Sequence, residues 1–263
     1  MASLKHRLVS RAFDILDARH AKPSAETAAE WADKALGVRT RAFWSARLEH
    51  ARHVADLKKA CLDVLDGTQT REEAVARLRR IAWRRGLDDW TKESRVKLIV
   101  DMAVETSVNK ARWEAMNADK TALKIAPALR FVRWYQRKEP RDWDTRWVEA
   151  AEEVDWQGVY TNDGGATKIA LFRSPIWRAL SAFDRPYPPF DYNSGMGTER
   201  VFAYELERLG WHPRWIRKIK QTEGTKIDIS ALGPAERDFL KDQLAGIGRI
   251  RGNTLVIQQE VDA

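Results

Sequence analysis

The chain has a single cysteine, Cys61, among 263 residues. A lone thiol excludes an intramolecular disulfide and leaves a zinc ribbon without its ligands. Cys61 lies in a helical pattern between Ala60 and Leu62, where a small packed hydrophobe is expected. That usage suits a reducing cytoplasm. No stretch approaches the eighteen or so uninterrupted apolar residues of a membrane span. The opening Met1-Ala2-Ser3-Leu4-Lys5-His6-Arg7 lacks the apolar core of a signal peptide, so export by that route is not expected. Nucleophile elbow, Walker A loop, H-E-x-x-H and dinucleotide fingerprint are all missing. Gly246-Ile247-Gly248 lacks the later glycine of such a fingerprint and reads as a turn. There is no internal repeat and no low-complexity tract.

What is present is a packed, basic protein. Hydrophobic residues make up 44% of the chain and charged ones 32%, which supports a sizeable core and excludes a disordered polymer. Residues 1–150 carry 31 Lys and Arg against 22 Asp and Glu, a net of +9. Residues 151–263 carry 15 against 16, so the positive excess lies in the first part. Such a face attracts polyanions, although a solvated helix surface has the same composition. Twelve tryptophans supply large packing surfaces or interface anchors.

The first 120 residues read as helix. Leu4, Leu8, Ala12, Ile15 and Leu16 recur at helical spacing. Ser24-Ala25-Glu26-Thr27 resembles a capping signal for a short helix reaching Gly37. Thr40 opens a longer one through Phe43, Trp44, Leu48, Val54, Leu57, Cys61 and Leu65 to Gly67. A further helix starts at Thr70-Arg71-Glu72-Glu73 and stops at Gly86, and another runs from about Thr91 to Asn117. After Ala126-Pro127 the character changes. Residues 128–135 and 167–172 read as strands, the latter after the turn signal Asn162-Asp163-Gly164-Gly165. Short helices are expected over 142–153, from Ser174-Pro175, and over 199–209. Strands at 226–229 and 254–257, with a helix over 234–244, complete the chain. The expectation is an α+β protein: a helical N-terminal half, then a small mixed α/β domain with short strands. Three segments follow: a basic helical arm or bundle over 1–120, an α+β core over 121–210, and a small appendix over 211–263.

Little catalytic chemistry survives inspection. His50-x-x-His53 could put two imidazoles on one helix face, but no further ligand is named, and two surface histidines are expected. His212 reads as a loop residue. Asp88-Asp89 and Glu152-Glu153 are adjacent, so on a helix each pair diverges by about 100°. Arg77, Arg79, Arg80, Arg84 and Arg85 with Trp83 suit a rod that contacts phosphates better than a pocket. Of these, Arg79, Arg80, Arg84 and Arg85 are the candidate nucleic-acid contacts. Arg185-Pro186-Tyr187-Pro188-Pro189-Phe190 forms a rigid proline–aromatic loop.

The order of three stretches resembles the phage Mu F-like head-morphogenesis family. The first is Glu105-Thr106-Ser107-Val108-Asn109-Lys110-Ala111-Arg112-Trp113-Glu114, similar to that family's Thr-Asn-x-x-x-Ala-x-x-x-Arg-like helix. The second is Arg141-Asp142-Trp143-Asp144-Thr145-Arg146-Trp147. The third is Tyr187-Pro188-Pro189-Phe190-Asp191-Tyr192-Asn193-Ser194-Gly195-Met196, preceded by Ser174-Pro175-Ile176-Trp177. The family's histidines are absent from 141–147, and Asn193-Ser194-Gly195-Met196 stands where its cysteines are, so no metal site is carried over.

The resemblance implies a structural minor head protein, not an enzyme, without metal or cofactor. It would act beside the portal in procapsid assembly, in the virion and, before that, the host cytoplasm. Portal and capsid or scaffold proteins are its implied partners, with double-stranded DNA as a further contact. Trp143, Trp147, Trp177, Tyr187, Pro188, Pro189 and Phe190 would form its structural motif. Alternatives are an unrelated nucleic-acid-binding protein and a small phage-encoded nuclease or toxin.

Overall fold

A computed structural model describes residues 4–136, 141–156 and 167–210, with the strand residues 226–228, 248–251 and 254–257. The fold is α+β. It divides into two compact units, Met1–Val201 and Phe202–Ala263.

In the first unit α1 (Leu4–Asp17) leads into the two-residue strand β1 (His20–Ala21). Helices α2 (Ala28–Ala32) and α3 (Leu36–Arg41) precede β2 (Ala42–Phe43), which pairs in parallel with β1. Then come α4 (Ala51–Asp66), α5 (Arg71–Arg84), a 3-10 turn at Asp88–Trp90, the long α6 (Glu93–Ala118) and α7 (Lys120–Ile125). At 1.5 Å per residue α6 spans roughly 39 Å. Its length lets one helix serve two cores.

The first core joins α1, α4, α5 and α6 through Leu16, Leu57, Leu78, Val96 and Val100. Val54, Leu57, Cys61 and Leu65 recur every three or four residues along α4, which places them on one buried stripe. Gly67, at φ +84°, supplies the left-handed residue that ends this helix. Thr70 caps α5: its hydroxyl accepts from Glu73 N–H while Glu73 Oε2 accepts from Thr70 N–H at 2.8 Å. That reciprocal box satisfies two of the free amides of the first turn.

The second core lies on a three-stranded antiparallel sheet. Its centre is β3 (Ala128–Arg133), flanked by β4 (Ile169–Leu171) and β5 (Met196–Val201). Leu129 pairs with Ala170 on one side and Arg200 on the other. Helices α8 (Trp143–Glu153) and α9 (Ile176–Ala179) contribute to this core, and Trp113, Met116 and Leu123 pack against it from α6 and α7.

The second unit begins with α10 (Ala203–Arg208) and holds strands β6 (Lys226–Asp228), β7 (Gly248–Arg251) and β8 (Thr254–Ile257). They form an antiparallel sheet in the order β6-β8-β7.

Three expectations need correction. The helix expected from Thr40 does not run through Phe43 and Trp44: the backbone extends there, and α4 starts only at Ala51, after the cap His50. Ser24 is not the cap of α2. Thr27 is, in a box with Glu30, and the helix ends at Ala32 rather than near Gly37. Residues 199–201 belong to β5, and the helix expected over 199–209 is α10, over Ala203–Arg208. The expected turn 162–165, the helix 234–244 and His212 lie outside the described residues. Among the described residues no helix is long and apolar enough to cross a membrane.

Candidate functional site

The motif residues meet in one aromatic core. Phe131, at the centre of β3, has ring neighbours at 5.4 Å (Trp143), 5.8 Å (Trp147) and 5.4 Å (Phe190). Trp147 in turn meets Trp177, and Trp177 meets Phe190 at 6.1 Å. Trp177 Nε1 donates to Leu171 O at 2.9 Å, so that indole is satisfied inside the core. Trp113, from α6, stacks on Phe172 at 5.7 Å and tilts against Tyr187 at 6.1 Å. Pro188 and Pro189 are buried, as are Tyr187 and Phe190. Burial pushes the Tyr187 phenol above its ordinary value.

The polar residues of the three stretches bond within the fold. Asp191 takes two arginines, Arg141 Nη1 at 2.7 Å and Arg146 Nη1 at 2.8 Å. Arg146 also lies over Trp143, 4.4 Å from the ring centre. Asp142 caps α8, accepting from the Asp144 and Thr145 amides, and its hydrogen bonds with Thr145 hold the carboxyl below its ordinary value. On α6, Thr106, Ser107 and Asn109 face inward. Ser107 Oγ donates to Ala103 O at 2.9 Å, and Thr106 Oγ1 accepts from Arg185 Nη1 at 3.3 Å. A signature that looks polar in sequence is therefore an inward-facing bonding surface.

The four candidate nucleic-acid contacts separate into two pairs. Arg79 donates to Thr91 O at 2.7 Å and to Glu93 Oε2 at 2.6 Å. Arg85 Nη1 donates to Asp56 Oδ2 at 2.6 Å. Both are engaged within the fold. Arg80 and Arg84 are exposed, and neither forms an ion pair among the described residues. Trp83, 73% exposed, stands with them at the i+3 and i+4 spacing of one helix face.

Compared with known proteins, the chain matches no family model, no curated protein and no solved structure.

His50 and His53 do not form a surface pair. His50 Nδ1 accepts the His53 N–H at 3.3 Å and so caps α4, while the His53 ring is fully buried, edge-on to Trp90 at 5.7 Å. Among the described residues neither ring nitrogen of His53 has a hydrogen-bond partner. Burial, reinforced by Arg85, lowers its pKa to about 4. Cys61 is fully buried, and burial pushes its thiol up to about 12. Among the described residues no three of His, Cys, Asp and Glu group as metal ligands.

Inspection of the sequence missed Arg19 and Arg185 as a pair. They lie 166 positions apart and face one cavity. No local pattern announces either of them.

Proposed function

We propose that this chain is a structural minor head protein of a tailed phage, joining the procapsid beside the portal and performing no chemistry of its own. One observation supports the reading: the second and third stretches that carry the family resemblance, within residues 141–147 and 174–196, pack together in the core around Phe131, and Trp113 of the first stretch packs against that core. Their shared role is then to hold a docking module in shape. Trp113 ties that module to the long helix α6.

The test is co-expression with portal, scaffold and major capsid proteins, followed by sedimentation of procapsids. The chain is expected in the particle fraction at low copy number when portal is present, and to leave it when portal is omitted. A chain that stays at the top of the gradient in both cases would sink the reading.

A second reading, nucleic-acid binding, has its own support in the exposed Arg80, Trp83 and Arg84 face. Two exposed guanidiniums beside an exposed indole suit phosphate contact with stacking. Retention of duplex DNA that falls steeply with salt would favour it. No retention at low salt would leave the face as a protein-docking surface.

A further inference from the structure

A cavity of about 430 Å³ lies within the first unit, between the Arg19–Ala46 region, α6 and the loop 182–192. That volume falls within the roughly 300–1,000 Å³ of small-molecule sites. Its described lining includes five cations, Arg19, Arg39, Arg95, Lys110 and Arg185, and neither an aspartate nor a glutamate.

Three of these cations have partners elsewhere. Arg39 Nε donates to Lys34 O at 2.9 Å, Arg95 Nη2 to Ala46 O at 2.7 Å, and Lys110 lies 3.7 Å from Glu114. Arg19 and Arg185 differ. Neither forms an ion pair among the described residues, and the Nε of each is shut off from water without a hydrogen-bond partner. Arg185 bonds Thr106 Oγ1 and lies over the Phe183 ring at 4.5 Å, contacts that leave its charge uncompensated. Burial lowers the pKa of both guanidiniums, and Arg19 adds to the depression at Arg185, which falls to about 10. Both residues keep part of their surface in contact with solvent, so the cost of two such cations without a counter-ion among the described residues is reduced but not removed. The Thr106 bond and the ring contacts hold Arg185 in place without supplying a negative charge, which an anion from outside would supply.

The remaining wall sets the rest of the ligand. Phe43, Ile99 and Met102 are apolar, and Trp31 and Trp44 stack on each other at 4.6 Å, nearly parallel. A guanidinium fork matches the oxygens of a phosphoryl group, and a dianion answers two such forks. Inorganic phosphate would leave most of the volume empty.

We propose that this cavity binds a phosphate monoester carrying a planar ring, the chemistry of a nucleoside monophosphate. Arg19 and Arg185 hold the phosphoryl group, and the apolar wall holds the ring. The ligand is either a free mononucleotide or the phosphorylated end of a strand. The inference is independent of the head-protein reading, because procapsid incorporation is not its readout.

The experiment is calorimetric titration and thermal melting of the full chain with adenosine 5′-monophosphate, adenosine, inorganic phosphate, and a short oligonucleotide with and without a 5′-phosphate. The monophosphate or the phosphorylated oligonucleotide should bind one to one and raise Tm, and which of them does so identifies the source. Adenosine should not bind, and inorganic phosphate should bind at least tenfold more weakly. Arg19→Met and Arg185→Met should each weaken binding tenfold or more, with the Tm of the free protein unchanged or higher, since each removes an uncompensated charge. A purely structural role would not produce that pairing. The proposal is overturned if no phosphate ester binds at millimolar concentration, if adenosine binds as well as its phosphate, or if both variants bind like wild type. It is equally overturned if both variants melt lower without ligand.

Discussion

The indole of Trp147 meets that of Trp177 edge to face, with 5.7 Å between ring centres and 70° between planes. The two residues come from α8 and α9, are buried to 1% and 0% exposure, and lie on opposite sides of the segment that contains β4. This contact closes the second core. Trp177→Ala should therefore cost about 3–5 kcal/mol, the range for deleting a large buried aromatic side chain. Trp83→Ala, at an exposed position, should stay within about 0.5 kcal/mol. Urea unfolding of both variants checks the contrast. Equal losses would mean that the aromatic core is not what stabilises this unit.

The arginines of α5 predict a division of effects. Arg80→Gln with Arg84→Gln should leave stability within about 0.5 kcal/mol and weaken any DNA retention at all sequences alike, because phosphate contacts carry no base information. Arg79→Gln with Arg85→Gln should instead lower stability, by up to about 1 kcal/mol for each partly exposed ion pair, and leave retention nearly intact. Melting curves and fluorescence anisotropy at two salt concentrations separate the pairs. If the second double variant abolished retention at unchanged stability, the assignment would be reversed.

His53 predicts a pH dependence of definite sign. Its folded pKa, about 4, lies below the ordinary 6.5, so between these values the unfolded chain binds more protons than the folded one. Its contribution is complete above about pH 6.5 and fades as pH falls toward 4, by at most about 1.4 kcal/mol per pH unit. His53→Phe should flatten that part of the stability profile and improve stability at pH 5 relative to pH 7. Denaturant midpoints at the two pH values test it, and an unchanged slope in the variant would acquit His53.

Cys61 should be silent in the native protein. With no exposed surface and its thiol pushed up to about 12, it lacks both access and thiolate. Labelling by a thiol reagent should follow global unfolding, and Cys61→Ala should cost about 1 kcal/mol without touching assembly. Fast labelling of folded protein would show an opening of the first core near α4.

Local chemistry made much of the fold readable. Thr70 and Glu73 lie three residues apart and cap α5 through their own backbone, so the start of that helix needs nothing distant. The run of 128–135 has the composition of a strand, and β3 occupies 128–133, because short aromatic and β-branched segments favour extended backbone. The stretch around Phe43 misled, since its apolar spacing also fits a helix. The pairing of Ala42 and Phe43 with His20 and Ala21, and the bridge from Ser24 to Leu48, are non-local and override that periodicity. Residues 199–201 turned out the same way, held extended against Ala128, Leu129 and Arg130.

The sequence by itself determined that Cys61 would be alone, that helices would dominate the first half, and that the proline–aromatic loop 185–190 would be stiff. Composition, periodicity and fixed φ angles act over a few residues, and they suffice for those properties. Only the tertiary structure decided that Arg79 and Arg85 are already paired while Arg80 and Arg84 are exposed without an ion pair among the described residues. It alone placed Arg19 and Arg185, far apart in the chain, on one cavity whose described lining holds no carboxylate. Ion pairing and burial depend on which surfaces meet across long chain separations, and no local pattern of residues carries that information.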